Sequence, residues 1–167
     1  MTHGMASALR YQNCVVMITI EKSRTEGAIQ LATRGEVQLP PQTEVELHFP
    51  AGLLGFEKNK FFRLLSDPDL EPYKWMKGRD AEQSFLVIPP SFAVENYTIE
   101  ISDEDQQLLG LRSQDDAVVL NIATWHPDET VTVNLKGPII YNKQNGLARQ
   151  VIPLNAPSLS LAYPMGN

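Results

Sequence analysis

The chain has 167 residues, with 14 Lys and Arg against 20 Asp and Glu, a formal charge of −6 and an isoelectric point near 5.0. So acidic a chain is a poor match for phosphate backbones, which argues against a general nucleic-acid binder. At 43% hydrophobic and 20% charged, it has the composition and length of one folded domain.

Residues 1–28 mix small and polar side chains without a sustained period and are expected to form a disordered leader, with Met17 as an alternative start. Cys14, the single cysteine, has no internal disulfide partner, and without a CxxC pair a cysteine zinc site is excluded; both fit a reducing compartment. The apolar run Val15-Val16-Met17-Ile18 falls short of the ~7–15-residue core of a signal peptide and further short of a membrane span. The expectation is a cytoplasmic protein with no membrane contact.

From residue 44 onward the pattern is one of short strands. In Glu44-Val45-Glu46-Leu47-His48-Phe49, apolar Val45, Leu47 and Phe49 alternate with Glu44, Glu46 and His48, which predicts a strand with one wet face. Pro50 stops it, and Gly52-Leu53-Leu54-Gly55-Phe56 sets two glycines around an apolar pair, as a tight turn requires. Phe61 to Leu65 is the next strand, closed by Ser66-Asp67-Pro68-Asp69. Tyr73–Met76 and Ser84–Ile88 predict a hairpin around Gly78-Arg79-Asp80, ended by Pro89-Pro90, and Tyr97 to Ile101 alternates again.

One helix is expected. Ser102 followed by Asp103, Glu104 and Asp105 is a capping-box-like start with acids at the positive end of the helix dipole; Leu108 and Leu109 supply its buried side, and Gly110 ends it. Ala117 to Trp125 is a long apolar, β-branched run, expected as a central strand covered on both faces. Further strands follow at Thr130–Leu135, Ile139–Tyr141 and Ala148–Ile152, the last two around the turn Asn145-Gly146, and the tail 155–167 reads as loose. About ten short strands with one short helix predict an all-β fold, a small β-barrel-like domain or a sandwich, over residues 29–154.

Resolved along the chain, the charge is uneven. Residues 95–116 contain Glu95, Glu100, Asp103, Glu104, Asp105, Asp115 and Asp116 against Arg112 alone, so this window carries as much net charge as the whole molecule. It is either a solvated helix with its flanking turns or a docking face for a basic partner.

The inventory for catalysis is thin. His3, His48 and His126 lie in no two-ligand spacing, no serine sits in a GxSxG turn, and Cys14 falls in the leader. No enzyme activity, metal or cofactor is expected. Asp115 and Asp116, read as adjacent strand residues, point to opposite faces and are poor partners for acid–base work. The loop apolar residues Leu53, Leu54 and Phe56 either plug a barrel end or offer a groove to a partner segment. A small-ligand β-barrel lined by Trp75, Phe85 and Trp125 is the alternative, although as strand residues these are expected to fill the core.

Taken together, Gly35-Glu36-Val37, Phe49 with Gly52-Leu53-Leu54-Gly55-Phe56-Glu57, Pro90 to Tyr97 with Ile99-Glu100-Ile101-Ser102, and Asn134-Leu135-Lys136-Gly137-Pro138-Ile139 with Asn142 and Arg149-Gln150-Val151 resemble the bacterial flagellar assembly factor FliW family. The resemblance covers residues 29–154, and differs at Leu54, where the family usually has Pro, and at Gly137, where it usually has Ala. It implies a β-barrel-like, non-enzymatic protein. It also implies that flagellin is bound while it accumulates, and that the basic RNA-binding repressor CsrA is bound and antagonised once flagellin is exported, with no direct nucleic-acid contact. Combined with the residue reading, the expectation is CsrA on Glu95, Glu100, Asp103, Glu104, Asp105, Asp115 and Asp116, and flagellin on Leu53, Leu54 and Phe56.

Overall fold

The computed structural model describes residues 16–21, as backbone, and residues 44–166. Eleven strands and one α-helix make up the described residues: β1 (Val16–Glu21), β2 (Glu44–His48), β3 (Phe61–Ser66), β4 (Lys74–Gly78), β5 (Ser84–Ile88), β6 (Asn96–Ile101), α1 (Asp103–Leu109), β7 (Ala117–Trp125), β8 (Val131–Val133), β9 (Ile139–Asn142), β10 (Ala148–Gln150) and β11 (Tyr163–Pro164). Short 3-10 turns occupy Pro90–Phe92, Gln114–Asp116 and Ala156–Ser158. The fold is mostly sheet with a single helix, as the sequence predicts.

The main sheet is antiparallel and runs β10-β9-β7-β5-β4-β3-β2. Its hub is β7, whose long apolar run pairs with β9 through residues 117–120, with β5 through 121–123 and with β8 through 123–125. Successive side chains of a strand alternate between faces, so such a run needs cover on both. The structure supplies it: Val119 packs in one core, with Ile88, Tyr97, Ile99 and Leu109, and Leu120 in a second, with Leu47, Phe49, Phe62 and Met76. On β9, Ile140 joins the first core while Ile139 and Tyr141 join the second.

The sheet curls around the second core until its ends touch. The His48 N–H donates to the Gly146 carbonyl at 2.9 Å, and His48 forms a single parallel bridge with Leu147. Contact at one bridge leaves the curl short of a closed barrel, so the fold sits between the barrel-like and sandwich descriptions. The wet face predicted for β2 is present: Leu47 is buried, while Glu44 and Glu46 are exposed and His48 stacks on Phe61 with ring centroids 4.6 Å apart.

Three expectations need correction. Val16–Glu21 falls in the expected disordered leader but pairs with β6 along its whole length; the remainder of residues 1–28 lies outside the described residues. The alternation of Val16, Ile18 and Ile20 with Met17, Thr19 and Glu21 is the period-two signal that the shorter run Val15–Ile18 concealed. The tail described as loose is docked: β11 pairs with β8, the Leu135 N–H donates to the Ser160 carbonyl and the Met165 N–H to the Val131 carbonyl. Asn155 completes it, its Oδ1 accepting from the Glu100 N–H at 3.0 Å and its Nδ2 donating to the Thr98 carbonyl at 2.8 Å, so one side chain substitutes for a strand along β6. Prolines 157 and 164 sit where no ladder N–H is required, in a 3-10 turn and in a two-residue edge strand. Third, Trp125 does not fill the core but is 53% exposed, at the end of β7.

Candidate functional site

The acidic window is built around α1. Ser102 caps it as predicted, with its Oγ accepting the Asp105 N–H at 3.2 Å, and Gly110 ends it in the left-handed conformation at φ 65°. The last-turn carbonyls are met by side chains from β9 and its turn, since Asn142 Nδ2 donates to the Leu109 and Gly110 carbonyls, each at 3.0 Å, and Asn145 Nδ2 donates to the Leu109 carbonyl at 3.3 Å. Leu109 is buried beneath the helix and Leu108 is 48% exposed, so only one of the two predicted core leucines serves that purpose.

The seven acids divide. Asp105 is turned inward, its Oδ1 2.7 Å from Arg149 Nε on β10 and its Oδ2 accepting from Ser102 Oγ at 2.9 Å. Asp116 lies in the 3-10 turn, not in a strand, and its Oδ2 accepts the Arg112 and Ser113 N–H groups at 3.1 and 3.3 Å. These two carboxylates hold the local structure. Glu104 and Asp115 are exposed, Asp103 and Glu100 half-buried, and Glu95 is exposed just before β6. The six-residue length of β6, about 20 Å at the usual rise per residue, separates Glu95 from the helix. Glu100, Asp103, Glu104 and Asp115 thus lie on α1 or in the chain segments that flank it, and Glu95 lies at the other end of β6.

The apolar loop also divides. Leu53 is 1% exposed and belongs to the second core, whereas Leu54 is 56% and Phe56 37% exposed. The loop is rigidly made: the Gly52 N–H donates to the Phe49 carbonyl, Phe56 to Leu53 and Asn59 to Phe56. Gly52 has φ 75°, and a Cβ there would meet the Glu57 backbone at 2.5 Å, so glycine is obligatory. The Glu57 carboxylate accepts the Gly55 N–H at 2.8 Å, and hydrogen bonds to the charged form hold its pKa below the ordinary value. Phe56 rests edge-on against Phe85 at 5.1 Å. Phe85, proposed as a pocket lining, thus supports the loop.

Gln150, at the end of β10, has no role in the sequence reading beyond its place in the resemblance. Its Oε1 accepts the Leu54 N–H at 3.2 Å and its Nε2 donates to the Gly137 carbonyl at 3.1 Å, so one carboxamide bridges two loops. Arg149 and Gln150 are neighbours pointing opposite ways, one toward α1 and the other toward the apolar loop. Their roles depend on contacts to residues 44 and 96 positions away, which local pattern does not encode.

Other polar side chains bond within the fold. His126 Nε2 lies 2.8 Å from Thr132 Oγ1, and Tyr97 Oη donates to the Leu135 carbonyl at 2.5 Å and accepts from Asn121 Nδ2 at 3.2 Å. Among the described residues no group of three or more His, Cys, Asp or Glu is placed to hold a metal ion, and no helix is long and apolar enough to cross a membrane.

Residues 28–165 match the family described as "FliW protein". Curated relatives named "Flagellar assembly factor FliW" include one from Clostridium botulinum, 37% identical over 109 residues covering 64% of this chain and 77% of the relative. Another, from Borrelia turicatae, is 34% identical over 116 residues covering 68% and 88%. A solved structure titled "Crystal structure of the flagellar assembly factor FliW" superposes with a TM-score of 0.66 at 26% identity, covering 71% of this chain and 84% of that one. The matched stretch includes the capped helix, the apolar loop and the docked tail, and the chain belongs to the FliW family of flagellar assembly factors.

Proposed function

We propose that this protein is a partner switch in flagellar assembly that works in the cytoplasm through binding alone. It holds flagellin while flagellin accumulates, and on its release binds CsrA, relieving repression of flagellin translation without itself touching RNA. Family membership over residues 28–165 is the observation that carries this reading.

The two partners call for two surfaces of different chemistry. An amphipathic flagellin helix needs exposed apolar anchors on a rigid support, and Leu54 and Phe56 fit that need, with Leu53 as the buried root of the loop. A basic repressor needs carboxylates free of internal partners, which favours Glu104 and Asp115, flanked by Asp103 and Glu100; Glu95 contributes at longer range, and Asp105 and Asp116 act by shaping the helix and its turn.

A pull-down from the host cytoplasm with this protein as bait tests the reading. Retention of flagellin, and of CsrA when flagellin is depleted, is expected; failure to retain either from an extract containing both would overturn it.

A further inference from the structure

We propose that Gln150 is a positioning residue for the partner-binding loop, its carboxamide fixing where Leu54 and Phe56 are presented. The proposal rests on the reading that this loop binds flagellin. The loop's other backbone hydrogen bonds are local, within residues 49–60, and set its internal shape. The Leu54 N–H to Gln150 bond reaches across 96 positions and ties the exposed tip to the far end of the sheet. The same carboxamide is held from its other side by the Gly137 carbonyl, and a Cβ at position 137 would stand 3.1 Å from Gln150 Nε2 and 3.3 Å from Asn134 Nδ2. Gly137 therefore leaves the room in which the carboxamide sits. Asn134 Oδ1 in turn accepts the Lys136 and Gly137 N–H groups at 3.0 and 2.9 Å, fixing the loop that presents that carbonyl.

A tip tied in this way loses less conformational freedom when a partner helix docks on it, so releasing the tie weakens binding without deleting a contact. Gln150→Met removes both hydrogen bonds while keeping length and volume. Gln150→Glu keeps an acceptor for the Leu54 N–H and removes the donor to Gly137.

The test measures affinity for purified monomeric flagellin together with amide hydrogen exchange at Leu54 and, as a control for folding, at Ile99. The expected result for Gln150→Met is faster exchange at Leu54, unchanged exchange at Ile99 and an affinity loss of about 3- to 10-fold, the equivalent of one neutral hydrogen bond. Gln150→Glu, which keeps an acceptor for the Leu54 N–H but sets a carboxylate oxygen against the Gly137 carbonyl, should show exchange at Leu54 between those of the native protein and Gln150→Met; exchange as fast as in Gln150→Met would overturn the role of the Leu54 bond. Unchanged exchange at Leu54 in Gln150→Met, or faster exchange with unchanged affinity, would overturn the positioning role. Leu54→Asp, measured alongside, separates the two claims. If Leu54→Asp weakens binding and Gln150→Met does not, only the positioning role fails; if Leu54→Asp leaves affinity unchanged, the loop is not the flagellin site and both fail.

Discussion

Tyr97 stands on β6 with its ring in the core and its hydroxyl between the Leu135 carbonyl and the Asn121 amide, which makes it a hinge between hydrophobic burial and hydrogen bonding. Burial raises its pKa to about 12, opposed in part by the Asn121 hydrogen bond. Because the folded value lies above the unfolded value of 10.0, its contribution to stability is complete below pH 10 and is lost as pH climbs toward 12. Tyr97→Phe should lower unfolding free energy by about 1–3 kcal/mol at pH 8, because it removes the donor to the buried Leu135 carbonyl and leaves the Asn121 amide with its bond to the Asn134 carbonyl alone. It should also lessen the fall in stability between pH 10 and 12, as read by urea titrations at both ends, leaving the part that comes from Tyr73 and Tyr141, whose pKa values burial raises as well. Neighbouring residues can differ as much as distant ones: Leu53→Asp should unfold the protein, whereas Leu54→Asp should leave its melting temperature nearly unchanged, since one side chain is 1% and the other 56% exposed.

At the scale of elements, α1 and the 52–57 loop show what local sequence encodes. The helix is legible because its capping serine and its terminal glycine act within the helix itself, whereas the pairing of Asp105 with Arg149 is not. Ser102→Ala should therefore lower stability by about 1 kcal/mol in chemical denaturation. The loop's glycines were legible as turn residues, but their unequal roles were not. Gly55→Ala meets no neighbour and should lose about 1–2 kcal/mol from the left-handed backbone alone, whereas Gly52→Ala also drives a Cβ into the Glu57 backbone and should lose more. What the sequence concealed depends on distant partners: β1 is a strand because β6 offers it an edge, and the proline-bearing tail is ordered because β8 and Asn155 give it hydrogen-bond partners. The apolar loop is legible as a whole, yet its division into a buried Leu53 and exposed Leu54 and Phe56 depends on the curl of the sheet.

Across the whole molecule, the net charge of −6 equals that of residues 95–116, part of it on carboxylates with internal partners and part on Glu100, Asp103, Glu104 and Asp115, while the exposed Leu54 and Phe56 sit on a separate loop, tied to β10 on the strand face opposite the one that meets α1. The proposed function gives each of these chemically distinct surfaces to one partner, the apolar loop to an amphipathic helix and the carboxylates to a basic protein. The most direct test is to measure both affinities, as a function of salt, for two variants: Leu54→Asp with Phe56→Asp, and Glu104→Lys with Asp115→Lys, which spare the structural carboxylates of Asp105 and Asp116. The account predicts that the first variant loses flagellin and keeps CsrA, while the second keeps flagellin and loses both affinity for CsrA and its salt dependence. Retention of both partners by both variants, or loss of both by either one while it remains folded, would contradict it.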